Sequence, residues 1–287
     1  AFCRPDVEKI FPKLWSERRR QELRLGGLGR KASEQLVWQL LGQEVDKATV
    51  ARIVQHAGGN ALFLEELIRA HAEGRGQESP ETILAMLQSR LARLPPEGRH
   101  VLRAGSVFGE TFWRGGLVSF FSNLSAEIDL DSWLQQLVDE ELITRHRTSS
   151  LPGDSEFGFR HGLMRDAAYE LLTQVDRLES HRMAAEFLET VAASEPALIA
   201  EHFHFSDQPG RAAPLYARAA EQALSAGDDR TTLRYTEHGM AAGAEGECLG
   251  TLLALRAWSH LNLVETARSY EYAARARWLL LPGSRWW

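Results

Sequence analysis

The feature that most constrains this chain is a change of periodicity at a single residue. Between Phe157 and Leu172 the sequence reads FGFRHGLMRDAAYELL. Phe157 and Phe159 alternate with Gly158 and Arg160, the period of a half-buried strand with its phenylalanines inward. From His161 the pattern changes. Leu163, Ala167 and Leu171 recur at four-residue spacing with Met164, Ala168 and Leu172 beside them, the stripe of an amphipathic helix. His161 therefore falls at a strand-to-helix junction. Backbone N–H groups there have no intrahelical partner, so an acceptor or anion is favoured.

The flanking sequence dictates what this junction belongs to. Leu36, Val37, Leu40 and Leu41 mark a first helix ended by Gly42; Val50, Ile53, Val54 and Ala57 mark a second, stopped at Gly58-Gly59. Asn60 is placed to cap a third, beginning Ala61-Leu62-Phe63-Leu64. Ser79 reads as a further N-cap with Pro80 at the first helical position, ahead of Ile83, Leu84, Leu87, Leu91 and Leu94. Pro95-Pro96 breaks that helix, and Val101 to Phe108 form the next. Residues 111–122 are short, aromatic and broken by glycine, and predict no regular element. Asp131 is expected to cap a helix holding Trp133, Leu134, Leu137 and Val138. Leu142 to Arg145 and Phe157 to Phe159 then pair as a two-stranded hairpin across a polar turn. Helices followed by a small hairpin are the build of a winged helix.

Beyond residue 176 the pattern is helical throughout, over 177–191, 196–204, 211–226, 229–242, 247–261 and 265–281. Ala212, Tyr216, Ala219, Ala220, Ala223 and Leu224 put small and aromatic residues on one face. Gly210 and Gly246 lie 36 residues apart, near the 34-residue period of tetratricopeptide-like helix pairs. Small faces let such pairs stack as a solenoid, with a plain helical bundle as the other reading. Leu279 and Leu280 are expected to stay partly exposed at the last repeat, and Trp286 and Trp287 have no periodic context.

The fold expected is mainly α: a helical subdomain, a winged helix with a small hairpin, then a tetratricopeptide-like helical-repeat region. The divisions fall at 1–25, 26–77, 78–175 and 176–287. Residues 1–25 read as the frayed end of a larger body and the whole as a piece of a longer chain.

Chemistry is sparse. Hydrophobic residues at 44% and charged residues at 25% describe an ordinary globular protein. No apolar run reaches the roughly 18 residues needed to span a bilayer. Two cysteines far apart, Cys3 and Cys248, offer neither a disulfide framework nor a metal site, so a cytoplasmic location is expected. Gly26-Gly27-Leu28-Gly29-Arg30-Lys31-Ala32-Ser33 lacks P-loop spacing, because Arg30 and Ala32 stand where the motif needs other residues. Leu137-Val138-Asp139-Glu140 imitates a metal-holding strand end but lies on helical periodicity. His202 and His204 do not share a helical face, and His202 reads as a packed histidine. No catalytic residue and no metal ligand is expected. A winged helix raises DNA binding. However, residues 131–144 hold Asp131, Asp139, Glu140 and Glu141 with no lysine or arginine, a face that repels phosphates. The net charge of −6 adds no general attraction for nucleic acid.

Several segments resemble one family. Gly58-Gly59-Asn60-Ala61-Leu62-Phe63-Leu64-Glu65-Glu66-Leu67 is similar to the GGNPLFLEEL motif of bacterial STAND-type, AAA-related signalling ATPases. Arg4-Pro5-Asp6 resembles the Arg-Pro-Glu that follows the family's sensor strand. Phe159-Arg160-His161-Gly162-Leu163-Met164-Arg165-Asp166-Ala167-Ala168-Tyr169 resembles its Phe-Arg-His-x-Leu-x-Arg-Asp-Ala-x-Tyr signature. The resemblance covers roughly residues 1–225. It implies the portion after the P-loop and Walker B strand: a remnant of the ATPase core, the helical lid, the winged helix and the start of a repeat region. It places Gly58, Gly59 and Asn60 near adenine, His161 against the diphosphate of a closed state, and Arg4 where a sensor arginine reads nucleotide. Ala61 stands where the family has proline, which loosens that turn. The expected role is a regulatory and interaction portion that couples nucleotide state to an output domain. It is not an enzyme by itself. ATP or ADP with magnesium belongs to the complete parent, and no cofactor to these residues. Expected partners are the upstream ATPase core and a protein or second copy on the repeats, with no membrane. The alternatives are a non-enzymatic helical-repeat scaffold and a winged-helix DNA-binding regulator.

Overall fold

The computed structural model describes residues 26–42, 44–74, 82–121, 129–192 and 195–287. Arg4 and the rest of the expected core remnant lie outside the described residues, as do Ser79 and Pro80. The chain divides into two compact units, Ala1–Met86 and Leu87–Trp287.

The first unit holds α1 (Arg30–Leu41), α2 (Lys47–Ala57) and α3 (Ala61–Ala72). Asp46 starts α2 by accepting from the Thr49 amide at 2.9 Å. Gly58, left-handed at φ 55°, ends it. Val37, Val50, Ile53, Leu64, Leu67 and Ile68 make the core. Leu40, expected on the buried stripe of α1, is exposed, and Ser33 is buried with its hydroxyl donating to the Gly29 carbonyl. The helix is rotated so that Ser33 and Val37, one turn apart, face inward.

The helix α4 (Ile83–Arg93) follows, begun by Thr82, whose Oγ1 accepts from the Ala85 amide. In the second unit come α5 (Pro96–Phe108), β1 (Thr111–Trp113), α6 (Arg114–Phe121), α7 (Leu130–Asp139), β2 (Ile143–Arg145), β3 (Glu156–Phe159) and α8 (Gly162–Glu170). The sheet has three strands in the order β1-β3-β2, both pairings antiparallel. The expected two-stranded hairpin is thus corrected: Phe112 of β1 sits opposite Phe157, and Ile143 of β2 opposite Phe159. A central strand is covered from both sides. All four residues of β3 are buried, and the expected outward position of Gly158 is filled by His146, 2.7 Å from where a Cβ would sit.

Two further expectations change. Asp129, not Asp131, caps α7 by accepting from the Ser132 amide and hydroxyl, which hold its carboxyl below the usual range. Asp131 lies in the first turn and takes a two-pronged contact from Arg114, 2.7 Å on each oxygen. In α8 the buried residues are Met164, Ala167 and Ala168, while Leu163 and Leu171 are exposed.

A helical stack completes the unit: α9 (Gln174–Val191), α10 (Pro196–His204), α11 (Ala212–Ser225), α12 (Asp229–Ala241), α13 (Gly246–Asn262) and α14 (Thr266–Ala276). Each helix packs on the next, and α11 also packs directly on α13. The starts of α11 and α13 are 34 residues apart, a tetratricopeptide-like recurrence. Small residues set the spacing. Ala212, Ala219 and Ala220 are almost fully buried, and a Cβ on Gly239 would lie 2.8 Å from Leu252. The residues after α14 fold back on the stack. Leu280 is therefore buried at 6% exposure, against the expectation of an open last repeat, whereas Leu279 stays partly exposed as expected and packs beside it. Trp286 donates to Glu221 Oε1 at 2.6 Å. Among the described residues no helix is long and apolar enough to cross a membrane.

Candidate functional site

The glycine turn of the first unit is closed by backbone. The Leu28 amide donates to the Gly59 carbonyl at 2.8 Å. A Cβ on Gly27 would stand 3.0 Å from that carbonyl oxygen, and one on Gly59, at φ 82°, 3.1 Å from the Leu28 oxygen. Both glycines are needed for so close an approach. Asn60 Oδ1 then accepts from the Phe63 amide at 3.1 Å and starts α3. Phe63, Leu64 and Leu67 anchor the helix in the core, with His56 edge-on to Phe63. Gly58, Gly59 and Asn60 thus form one ordered turn ahead of a buried helix, with Ala61 as its first residue.

In the second unit His161 is the N-cap residue of α8, with extended backbone (φ −141°, ψ 140°). Its carbonyl accepts from the Met164 amide at 2.9 Å. Its side chain is half-buried and does not cap the helix. Around it, most of the signature has a structural task. The Phe159 ring lies in the core against Phe112, and the Arg160 guanidinium pairs with Glu141 at 3.0 Å. Arg165 Nε donates to the Ser106 carbonyl of α5 at 2.9 Å and its other arm pairs with Asp166. Ala167 and Ala168 are fully buried. An oxygen of the Glu110 carboxylate stands 3.2 Å from where a Cβ on Gly162 would be, placing negative charge beside the first turn of α8.

Tyr169 closes the signature and leads into a histidine chain that the sequence did not announce. The guanidinium carbons of Arg165 and Arg177 lie over its ring, 4.8 and 4.7 Å from the centroid. Its hydroxyl meets His181 Nε2 at 2.9 Å, and His181 Nδ1 meets His202 Nδ1 at 3.0 Å. Burial, and then neighbouring positive charge, push His181 down to about 4. Burial, and then His181, push His202 down to about 3. Both rings are neutral at neutral pH, so each carries one N–H, and the hydrogen bonds of the chain run in one direction or the other according to the tautomer. His202 is a packed histidine, as its surroundings in sequence predict.

Glu156 was also missed. Its carboxylate accepts from Trp113 Nε1 at 3.1 Å and from the Ser150 amide and hydroxyl, and it pairs with His146 Nδ1 at 2.7 Å. Burial opposes its charge, but these donors win and hold it at about 2. The only local signal was an acid following the polar turn; Trp113 and Ser150 have no shared spacing with it. Among the described residues no group of histidine, cysteine, aspartate and glutamate is arranged to hold a metal ion.

No protein-family model matches the chain, and no curated protein matches it. Among solved structures the chain is similar to a Signal Transduction ATPase with Numerous Domains (STAND) protein with a tetratricopeptide repeat sensor from Pyrococcus horikoshii. The two share 13% identity with a TM-score of 0.39, over 88% of this chain and 41% of that one. This is a distant structural likeness, and the chain spans less than half the length of the structure it matches.

Proposed function

We propose that this chain is the regulatory and interaction portion of a STAND-type signalling ATPase, coupling nucleotide state to an output domain. The reading is supported chiefly by the Phe159–Tyr169 signature. Phe159, Arg160, Arg165, Ala167, Ala168 and Tyr169 are all engaged in packing, ion pairs or hydrogen bonds. Together they set His161 at a half-buried helix start with its ring not used as a cap. In the complete parent, His161 would bond a diphosphate oxygen in the resting state. The Gly58-Gly59-Asn60 turn, rigid through Leu28, would supply backbone to the adenine ring. ATP and magnesium would be held by a P-loop core, whose motif is absent from this sequence.

The helical stack supplies the interaction half of the proposal. Trp258, Leu261, Val264 and Tyr270 are exposed on and around its last pair. A scaffold without nucleotide coupling would use the same face. Nucleic-acid binding is disfavoured, because Arg114 is engaged by Asp131 and Arg160 by Glu141 beside the small sheet. Purified residues 1–287 should release no phosphate from ATP above a heat-killed control, whereas the complete parent should bind ADP. Steady-state turnover by 1–287, or a parent that does not bind ADP, would sink the reading.

A further inference from the structure

The segment after α14 behaves as a ligand of its own stack. Gly283, at φ 84°, turns the chain, and the Ser284 amide closes that turn on the Leu281 carbonyl. On one side of the turn Leu280 enters a small core with Leu253 and Ala276. It fits because residue 250 of α13 is glycine: a Cβ there would lie 3.0 Å from Leu280 and 3.1 Å from Leu279. On the other side both oxygens of one carboxylate on α11 take the segment. Glu221 Oε1 accepts from Trp286 Nε1 at 2.6 Å, and Oε2 pairs with Arg285 at 3.6 Å. The Arg285 guanidinium in turn lies 5.1 Å over the Trp286 ring. The segment therefore spans α11 and α13, the first helices of two successive pairs, which pack on each other.

Its grip joins one buried anchor to exposed flanks: Leu280 is buried, and Leu279 and Trp286 pack partly on the same small core. Trp278, Leu281 and Trp287 point to solvent, and the ion pair is largely exposed, so it adds little to stability. Alongside lies an open cleft of about 540 Å³ lined by Arg218, Glu221, Gln222, Ser225, Ala226 and Arg285.

We infer that α11 and α13 form a peptide-docking groove, and that residues 279–287 occupy it in cis as a displaceable latch. The partner is a protein segment of the same chemistry: an aliphatic side chain for the Gly250 notch, then a turn, then arginine followed by an aromatic N–H donor for Glu221. A latch tethered this closely has an effective concentration in the millimolar range, so a free competitor binds the closed chain poorly. Removing the latch's own anchors should reveal the groove.

The test uses the whole chain and a fluorescein-labelled peptide copying residues 278–287, read by anisotropy. Chain carrying Leu280→Asp and Trp286→Ala should bind the peptide on the order of 100-fold tighter than the unaltered chain. Adding Glu221→Lys to that variant should abolish the gain. Equal binding by all three, or none by any, overturns the docking groove. A second measurement does not depend on that variant folding. Glu221→Ala, which removes the acceptor for Trp286 as well as the Arg285 ion pair, should speed amide exchange in 281–287 while leaving α12 unchanged. Unchanged exchange in 281–287 overturns the latch.

Discussion

The sheet-bearing part of Leu87–Trp287 and the helical stack beyond it bury similar side chains by different means. In the first, partners come from far along the chain: Thr111 pairs with Gly158, Trp113 and Glu156 share a hydrogen bond, and Arg165 reaches Ser106. In the second, each helix packs on its sequence neighbours, and glycine and alanine set the distance. Long-range pairing makes a region in which every strand needs the others, whereas neighbour packing makes one that fails pair by pair. The consequence is a difference in how far damage spreads.

The strongest attempt to break this contrast is Phe112→Ala. Phe112 is fully buried, stacks on Phe157 and touches Gly105 of α5, so its loss should cost about 3–5 kcal/mol. Urea denaturation gives the size. Amide exchange should quicken in β1, β3 and α5 together, and a loss confined to β1 would contradict the shared core.

Acid separates the two regions next. Folding depresses His181 to about 4 and His202 to about 3, so their stabilising neutrality is complete above an unfolded value near 6.5 and declines below it. Glu156, held at about 2, contributes fully above about 4.5 and loses its contribution only as pH falls from there through 2. Between pH 7.5 and 5.5 the α9–α10 pair should lose about 1–3 kcal/mol, with the sheet unaffected. Thermal melts of the chain and of His202→Gln check it. The variant should show a flatter pH dependence in that window.

A smaller effect sharpens the stack's side of the comparison. Gly239→Ala drives a methyl against Leu252 and the Cβ of Tyr216, and should cost about 1–3 kcal/mol. Faster exchange should stay within α11, α12 and α13. Smaller still, Asp228→Ala removes the acceptor for the Thr231 amide and should cost about 1 kcal/mol, read as fraying of α12.

The same contrast explains what was legible beforehand. Helices of the stack, the Asn60 cap and the Gly58-Gly59 turn were readable because their signals are local: periodicity, a capping side chain, a left-handed glycine. The strand Thr111–Trp113 was not, since three residues carry no period and their partner lies past residue 155. The cap of α7 slipped by two residues because two aspartates compete there and Arg114, distant in sequence, claims the second. Burial of Leu280 depended on a return fold that helical spacing does not encode. At the candidate site, His161 was found at its junction. The Tyr169–His181–His202 chain was not, because its members come from three helices.

His161→Ala in the complete parent protein tests the central claim most directly, through the ADP dissociation rate and basal output. A hydrogen bond of about 1–3 kcal/mol held only in the resting state should, when lost, raise both roughly ten- to a hundredfold. The fold should stay intact, read by amide exchange in α8, so that a change in ADP release is not a consequence of unfolding. Unchanged ADP release and output would make His161 an ordinary packing histidine and contradict the proposed coupling.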